Sequence, residues 1–237
     1  LACLTIRDDK SDEVSKEDQE FMILESRFLE KPAFAVEQGR NAAKHMERDS
    51  RKALDISLGL LRDYQEEQAE RVQKIESKVD RYEDELGTYL VKLNNKDLSE
   101  KDSHSVSIML HCIGDFERIS DHAVNIMESA RELHEKNLSF SPEARVGRIV
   151  DTAYDVFDKQ DMNLTRDVEP LEEMVDELSR EMKRRHVNRL RSGECTIEMG
   201  FILTDLLTSL ERIADHCSNI SVCVTQVREN LYDTHSH

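Results

Sequence analysis

The sequence predicts an all-α protein made of two tandem three-helix bundles that arose by internal duplication. Glycine (7 of 237 residues) and proline (3) are scarce, tryptophan is absent, and 35% of the residues are charged, a composition typical of long amphipathic helices. Apolar residues recur every three or four positions over long segments. Two segments also return about 95 residues later: IESKVD (75–80) as LEEMVD (171–176), and FERISDHAVNI (116–126) as LERIADHCSNI (210–220).

The first 32 residues are expected to form a linker from an upstream part, which we expect to be membrane-embedded. LACLTI (1–6) resembles the end of an apolar segment and is too short to cross a bilayer. The charge-dense residues 7–20 predict a flexible connection. Residues 21–32 carry apolar side chains that can pack onto the fold before Pro32 opens a helix.

Residues 33–136 are predicted to form the first bundle. Its helices are expected over 33–62, then to about residue 93, and over 100–135. Residues 94–102 (NNKDLSEKD) form a turn in which Ser99 is a suitable N-cap.

The second bundle, residues 137–237, is expected to contain helices over 142–163, 165–192 and 194–231. Arg191, Ser192 and Gly193 form a C-terminal stop signal between the last two helices.

Charge and cysteine usage exclude several classes of function. The net charge is −17, so nucleic acid is a poor partner for this surface, and a cation or a basic protein surface is a better one. The five cysteines are odd in number, spread out and without a CxxC pair. They are expected to be reduced and intracellular rather than disulfide-bonded, and no structural zinc site is indicated.

A Glu-x-x-x-Asp pair recurs on corresponding helices of both halves. Positions i and i+4 share one helix face, so each pair presents two carboxylates together. Both FERISDH and LERIADH continue to an asparagine one turn later, which adds a third oxygen ligand. The candidate metal ligands are Glu76, Asp80, Glu117, Asp121 and Asn125 in the first half, and Glu172, Asp176, Glu211, Asp215 and Asn219 in the second.

Carboxylate and amide oxygens suit divalent or trivalent cations, and iron, zinc, manganese and magnesium are all tolerated. Counting residues from the turn places Glu76 level with Glu117 and separates Asp80 from Asp121, which favours an extended site. The alternative is a solvated acidic stripe paired to Arg118, Arg212 and lysines. The histidines that follow each aspartate, His122 and His216, are expected to pack or hydrogen-bond between the bundles.

Enzymatic motifs are missing from the sequence. It contains no Gly-rich phosphate loop, no GxSxG, no HExxH and no EExxH set of a di-iron bundle. We therefore expect no catalytic residues, with a metal-dependent helical-bundle hydrolase or oxidase kept as the alternative from another class. An inert helical scaffold is a further alternative.

The paired ERIxDHxxNI segments resemble the PhoU family, over roughly residues 33–232. The resemblance implies two three-helix bundles whose Glu-x-x-x-Asp motifs hold multinuclear metal clusters, commonly of iron, on the four pairs named above. It implies a cytoplasmic regulatory domain that controls phosphate uptake. Within the family, the start of the chain favours the C-terminal domain of a sodium/phosphate cotransporter over a free-standing negative regulator of phosphate transport and signalling.

The resemblance also implies partners and a location. The expected partner is a membrane transporter domain, either upstream in the same chain or in a separate protein. A signalling kinase and a second copy of the chain are further candidates. The domain is expected in the cytoplasm, tethered to the inner face of the cell membrane.

Overall fold

The computed structural model describes residues 20–138, 159 and 162–234 of the chain, and in these residues the structure is helical, with no strand. Two short 3₁₀ helices, Met22–Leu24 and Ser26–Glu30, precede the long helices. The long helices are α1 (Pro32–Leu60), α2 (Glu66–Asn94), α3 (Glu100–Glu135), α4 (Met162–Arg191) and α5 (Ile197–Thr234). Residues 1–19 and nearly all of the helix predicted over 142–163 lie outside the described residues, and the domain limits at 32 and 136 stay predictions.

The first bundle follows the expected order of three helices. α1, α2 and α3 pack against one another around a core that includes the fully buried Tyr82, Phe116 and Met46. The Oγ of Ser99 accepts a hydrogen bond from the backbone N–H of Asp102 at 3.2 Å. The N-cap expected for α3 is therefore confirmed.

The segment before α1 packs onto this bundle, as its apolar residues predict. Phe21, Leu24 and Leu29 are buried. The ring of Phe21 lies 4.4 Å from that of Tyr82, between centroids. Phe21, Leu24 and Leu29 thus belong to the core of the first bundle.

The second half presents α4 packed against α5. α4 ends at Arg191, and Gly193 has a φ of 74°, which glycine adopts without strain. Both helices begin three residues from the approximate starts that the sequence predicts. α5 begins at Ile197 rather than residue 194, because the Oγ1 of Thr196 accepts the N–H of Met199 and caps the helix there. α4 begins at Met162 rather than residue 165.

The two halves meet where α3 packs against α5. We call this contact the seam. The Nδ1 of His216 lies 2.9 Å from the Oδ1 of Asp115, and the rings of His122 and His216 are 5.9 Å apart. Both histidines therefore lie between the bundles, as predicted from their position beside the aspartates. Within the described ranges, no helix is both long and apolar enough to cross a bilayer.

Candidate functional site

The two ERIxDH copies have the same pattern of exposure along their helices. In both, the glutamate, aspartate and histidine are half-buried, the arginine and the later asparagine are exposed, and the two isoleucines are buried. A helix presents one face to the core and one to solvent, so matched burial means matched rotation. The sequence repeat is therefore also a structural repeat.

The first acidic face consists of Glu76, Asp80 and Glu83 on α2 and of Glu117 and Asp121 on α3. Burial, the negative charge of Asp121 and a hydrogen bond between the two carboxyls raise the pKa of Glu117 from 4.5 to about 7, with a further contribution from Glu83. A hydrogen bond between two carboxyl groups requires a proton, so this face holds a proton near neutral pH.

The register of α2 and α3 differs from the one expected by counting. Burial raises the pKa of Glu76, and the charge of Asp121 raises it further. Glu117 instead interacts with Asp121 and Glu83. The structure thus places Glu76 beside Asp121, about one helical turn from the predicted partner, Glu117, and brings Glu83 to the face as an acid that was not predicted.

Arg118, which lies within ion-pair distance of this face, offsets little of its negative charge. The Nε of Arg118 lies 3.4 Å from Glu117, and its Nη1 lies 3.6 Å from Asp121. Its side chain is 61% exposed, and ion pairs at such exposure contribute about 0–1 kcal/mol. The carboxylates therefore remain under mutual repulsion.

The second acidic face consists of Glu172 and Asp176 on α4 and of Glu211 and Asp215 on α5. Burial raises the pKa of Glu172, and the charges of Asp176 and Asp215 raise it further. Glu172 thus lies beside Asp215, as Glu76 lies beside Asp121. This part of the arrangement is common to both halves.

Glu211 differs from its counterpart Glu117. The Oγ of Ser179 donates a hydrogen bond to its Oε1, and the Nζ of Lys183 lies 2.9 Å from the same oxygen. Burial acts to raise the pKa of Glu211, but these hydrogen bonds and the positive charge of Lys183 outweigh it and lower the pKa. The second half thus carries an internal counter-ion.

Two substitutions between the repeats account for this difference. Ser179 occupies the position that Glu83 has in the first half, and Lys183 occupies that of Gly87. An acid and a glycine are therefore replaced by a hydroxyl donor and a cation. Glu211 is therefore paired with a lysine, as in the solvated acidic stripe that was the alternative to a metal site.

The two asparagines lie toward the seam. The Nδ2 of Asn219 donates to the Oδ1 of Asp115 at 3.4 Å. The Nδ2 of Asn125 is 3.5 Å from the Nδ1 of His122. Asn219 also lines an open cavity of about 410 Å³ on the second half, whose walls include Glu169, Glu172, Arg212, Asp215 and His216.

The donor set suits a hard cation, but it is not assembled around one position. In the part of the chain that the structure describes, no three His, Cys, Asp or Glu side chains are grouped closely enough to hold a metal ion. The first acidic face nevertheless offers carboxylate oxygens from two adjacent helices, which is the ligand type that such cations prefer. Binding there requires side-chain rotation, which the exposed Asp80 can supply.

Four residues with direct roles in these faces or at the seam were missed from the sequence: Glu83, Ser179, Lys183 and Asp115. Glu83 and Lys183 are one and two turns beyond the Glu-x-x-x-Asp pairs, and aligning the repeats shows that each differs from its counterpart. Asp115 precedes the ERIxDH motif and bonds across the seam. No sequence signal distinguishes Asp115 from the many other acids.

Comparison with known proteins adds to this geometry. A family model described as the PhoU domain matches residues 43–130 and 144–224. Both matched stretches contain one ERIxDH copy and one acidic pair from the preceding helix. Together they cover well over half of the chain.

Individual relatives agree with the family match. The chain is 26% identical over 113 residues to the phosphate-specific transport system accessory protein PhoU homolog 1 of Thermotoga maritima. This segment covers 45% of the chain and about half (49%) of that relative. PhoU from Pseudomonas aeruginosa superposes with a TM-score of 0.77 at 23% identity, covering 83% of the chain and 98% of that structure. The phosphate transport system regulatory protein PhoU from Streptococcus pneumoniae gives 0.72 at 14%, with 84% and 98% covered. The all-α fold is thus shared.

Proposed function

The chain belongs to the PhoU family, and from this membership we propose that it is a regulatory protein that controls phosphate uptake. The observation that carries the proposal is the family match over both halves, each with its ERIxDH helix. The names of the Thermotoga and Streptococcus proteins, which refer to phosphate transport, support it. A regulator needs a surface that binds a signal and a contact that passes the resulting change to the rest of the protein. In this proposal the acidic faces are the binding surfaces, and the seam is the contact between the two halves.

Complementation tests this function. We would express the chain in a bacterium that lacks its own PhoU protein, and measure phosphate uptake together with a phosphate-starvation reporter. The expected result is that both return toward the wild-type level. Folded protein at normal abundance that changes neither would contradict the proposal.

Two forms of the regulator are possible, and they differ in whether the membrane transporter is part of the same chain. In one, the chain is the cytoplasmic domain of a sodium/phosphate cotransporter and is tethered to the inner face of the membrane. In the other, it is a free-standing regulator, which the near-complete coverage of the two PhoU structures favours at least as well. Sequencing the transcript upstream of Leu1 decides between them. A coding sequence for apolar spans in frame supports the first, and a nearby start codon supports the second.

We further propose that the first acidic face holds one or more divalent or trivalent cations, such as iron, manganese, magnesium or zinc. Glu76, Asp80, Glu83, Glu117 and Asp121 would supply the ligands. The bound charge would offset the burial and the repulsion from Asp121 that together raise the pKa of Glu117 to about 7. Because α3 also forms the seam, loading this face would bias how the two halves pack, and thereby restrain transport.

Elemental analysis tests the cation site with matched variants. Wild-type protein is purified without chelator or nickel resin, beside Glu117→Gln/Asp121→Asn and the second-half pair Glu211→Gln/Asp215→Asn. We expect the first variant to lose more metal than the second, since Lys183 already neutralises Glu211. Equal retention in all three folded proteins, or no metal in wild type after loading, would refute the assignment.

The remaining candidates are distinguished by simple assays. A metal-dependent enzyme requires turnover by the loaded protein that disappears in Asp121→Ala and Asp215→Ala. A signalling kinase or a second copy of the chain would be detected by cross-linking on the exposed acidic faces. The net charge of −17 argues for a partner with a basic surface, and a second copy of the chain does not provide one in net charge.

A further inference from the structure

The end of the second bundle, where α4 passes into α5, differs in charge from the chain as a whole. Residues 183–201 contain five lysines and arginines against two glutamates, whereas the net charge of the chain is −17. Arg184 and Arg185 are 66% and 70% exposed, and they have one acid, Glu181, between them within ion-pair distance. Arg189 and Arg191 are exposed as well. We call residues 183–201 the basic end, since they form a positive surface on an acidic protein.

Three large apolar side chains of the basic end are also exposed, and they lie on one side of the two helices. Ile197 is 72% exposed, Phe201 69% and Val187 45%. The Nζ of Lys183 reaches Glu211 on α5, and Val187 follows Lys183 by one turn on the same face of α4. Ile197 precedes Glu211 by about four full turns, and Phe201 is one turn after Ile197, so both share the face of α5 that carries Glu211. Exposed apolar side chains grouped beside charged ones are typical of an interaction surface.

The first repeat shows that the fold itself does not require this combination. Of the three apolar residues only Val187 has an apolar counterpart, Val91, and the other two take the positions of Ser103 and Ser107. The five basic positions are all neutral in the first repeat, where they hold Gly87, Thr88, Tyr89, Leu93 and Asn95. The positive charge and the exposed isoleucine and phenylalanine are therefore found together in the second repeat alone, and helix packing does not account for them.

Charge and position favour an anionic lipid surface as the partner of the basic end. A second copy of the chain, docked through the same surface, would bring like charges together, which is unfavourable. At an anionic bilayer, arginines meet the lipid phosphates while apolar side chains enter the boundary between headgroups and acyl chains. The exposed turn at residues 192–194 leaves this end of the bundle free to approach a flat surface. The acids Glu211 and Asp215 lie about 15 and 21 Å along the axis from Phe201, beyond the Debye length of about 8 Å at physiological salt.

We propose that the basic end docks on a bilayer that contains anionic phospholipid, with Val187, Ile197 and Phe201 at the boundary between headgroups and acyl chains. Its exposed arginines lie at the lipid phosphates. The contact is peripheral and reversible, and it orients the second half of the chain toward the membrane. It goes beyond the control of phosphate uptake and does not depend on it, because vesicle binding and complementation are separate measurements.

Co-sedimentation with lipid vesicles tests the proposal on the full chain. The vesicles are phosphatidylcholine with one third phosphatidylglycerol, and vesicles of phosphatidylcholine alone are the reference. Arg189→Gln/Arg191→Gln removes two charges and should weaken binding to the anionic vesicles by about ten- to thirtyfold. Ile197→Ser/Phe201→Ser takes the residues of the first repeat and should weaken it by at least about tenfold. Wild-type binding should also fall as salt is raised, because the attraction is screened.

Matched controls remove the same kinds of side chain elsewhere on the protein. Arg71→Gln/Lys74→Gln takes two exposed cations from α2, and Val222→Ser takes an apolar side chain that is 49% exposed on α5. Both controls should bind anionic vesicles as wild type does. The sequence contains no tryptophan, so Phe201→Trp supplies a single fluorescence signal at the proposed contact. Its emission should shift to the blue with anionic vesicles and stay unchanged with phosphatidylcholine alone.

Three outcomes would overturn the proposal. Wild-type protein that stays in solution with the anionic vesicles, even at low salt, would leave the basic end to an acidic protein partner. Binding that is as tight in either basic-end variant as in the controls would place the lipid contact elsewhere on the chain. A tryptophan at position 201 whose emission does not change on binding would show that this side chain remains in water. Circular dichroism confirms that each variant is folded before its binding is compared.

Discussion

The difference between the two acidic faces predicts that one conservative substitution has opposite effects in the two repeats. Glutamine keeps the size of glutamate and still donates a hydrogen bond to a neighbouring carboxylate. Glu117→Gln should stabilise the protein at pH 8, whereas Glu211→Gln should destabilise it. Both variants are compared with wild type in the presence of a chelator, so that no cation contributes.

The magnitude for Glu117 follows from its pKa. The pKa is about 7 in the folded protein against a usual value of 4.5, and this difference is worth at most ~3.4 kcal/mol at 1.36 kcal/mol per unit. The carboxyl is partly solvated, so we expect about 1–2 kcal/mol. Because the folded pKa is raised, the contribution to stability is present below pH 4.5 and is lost as the pH rises through 7. Wild type and variant should therefore coincide at pH 4 and diverge toward pH 8.

The contribution of Glu211 to stability has the opposite dependence on pH, since Ser179 and Lys183 lower its pKa. Its contribution is present above the usual value of 4.5 and is lost as the pH falls through the folded pKa. Removing the charge should cost about 1 kcal/mol at pH 8. Urea unfolding from pH 4 to 8.5 measures both effects. The reasoning is refuted if Glu117→Gln is neutral or destabilising at pH 8, or if both substitutions change stability in the same direction.

Three further predictions concern the core and the seam. The hydroxyl of Ser120 is buried with no hydrogen-bond partner in the described structure, and the second copy of the motif has Ala214 at this position. Ser120→Ala should therefore stabilise the protein by about 1 kcal/mol, measured by urea unfolding. Burial and the nearby His216 lower the pKa of His122 below 6.5, so its contribution to stability is present above pH 6.5 and is lost as the pH falls below 6.5 and through the folded pKa. His122→Gln should therefore flatten the pH dependence of the unfolding free energy between pH 7 and 5, and an unchanged slope would contradict this. A Cβ added at Gly200 would lie 2.6 Å from the Nε2 of the buried His186, so Gly200→Ala should cost about 1–3 kcal/mol in thermal unfolding. The cost should be much smaller in a His186→Leu background, where this ring is absent, and equal costs in both backgrounds would count against the contact.

Local signals explain why most of the fold could be predicted from the sequence. Ser99 begins α3 and Gly193 follows the end of α4, and each acts through its own backbone conformation or hydrogen bond. The Glu-x-x-x-Asp pairs lie on one face because the helix period alone requires it. The placement of His122 and His216 between the bundles followed from the same periodicity.

The register between helices could not be predicted in the same way. Residues 95–99 link α2 and α3, and the path of this link sets how far beyond the end of α2 the next helix starts. A count from the helix ends therefore missed the pairing of Glu76 with Asp121 by about one turn. The pairing of Lys183 with Glu211 depends on the same kind of distance, between side chains on two helices, which no local pattern encodes.

The lengths of the two seam helices have a mechanical consequence. α3 has 36 residues and α5 has 38, so they are rods of about 54 and 57 Å at 1.5 Å per residue. His216 lies near the middle of α5, about 28 Å along the axis from Ile197. A tilt of about 5° around His216 moves the end of α5 by about 2.5 Å. A displacement of this size is enough to alter the contacts of a bound partner. Because the contact between His216 and Asp115 lies well inside both helices, a small rotation there produces its largest displacements at the helix ends.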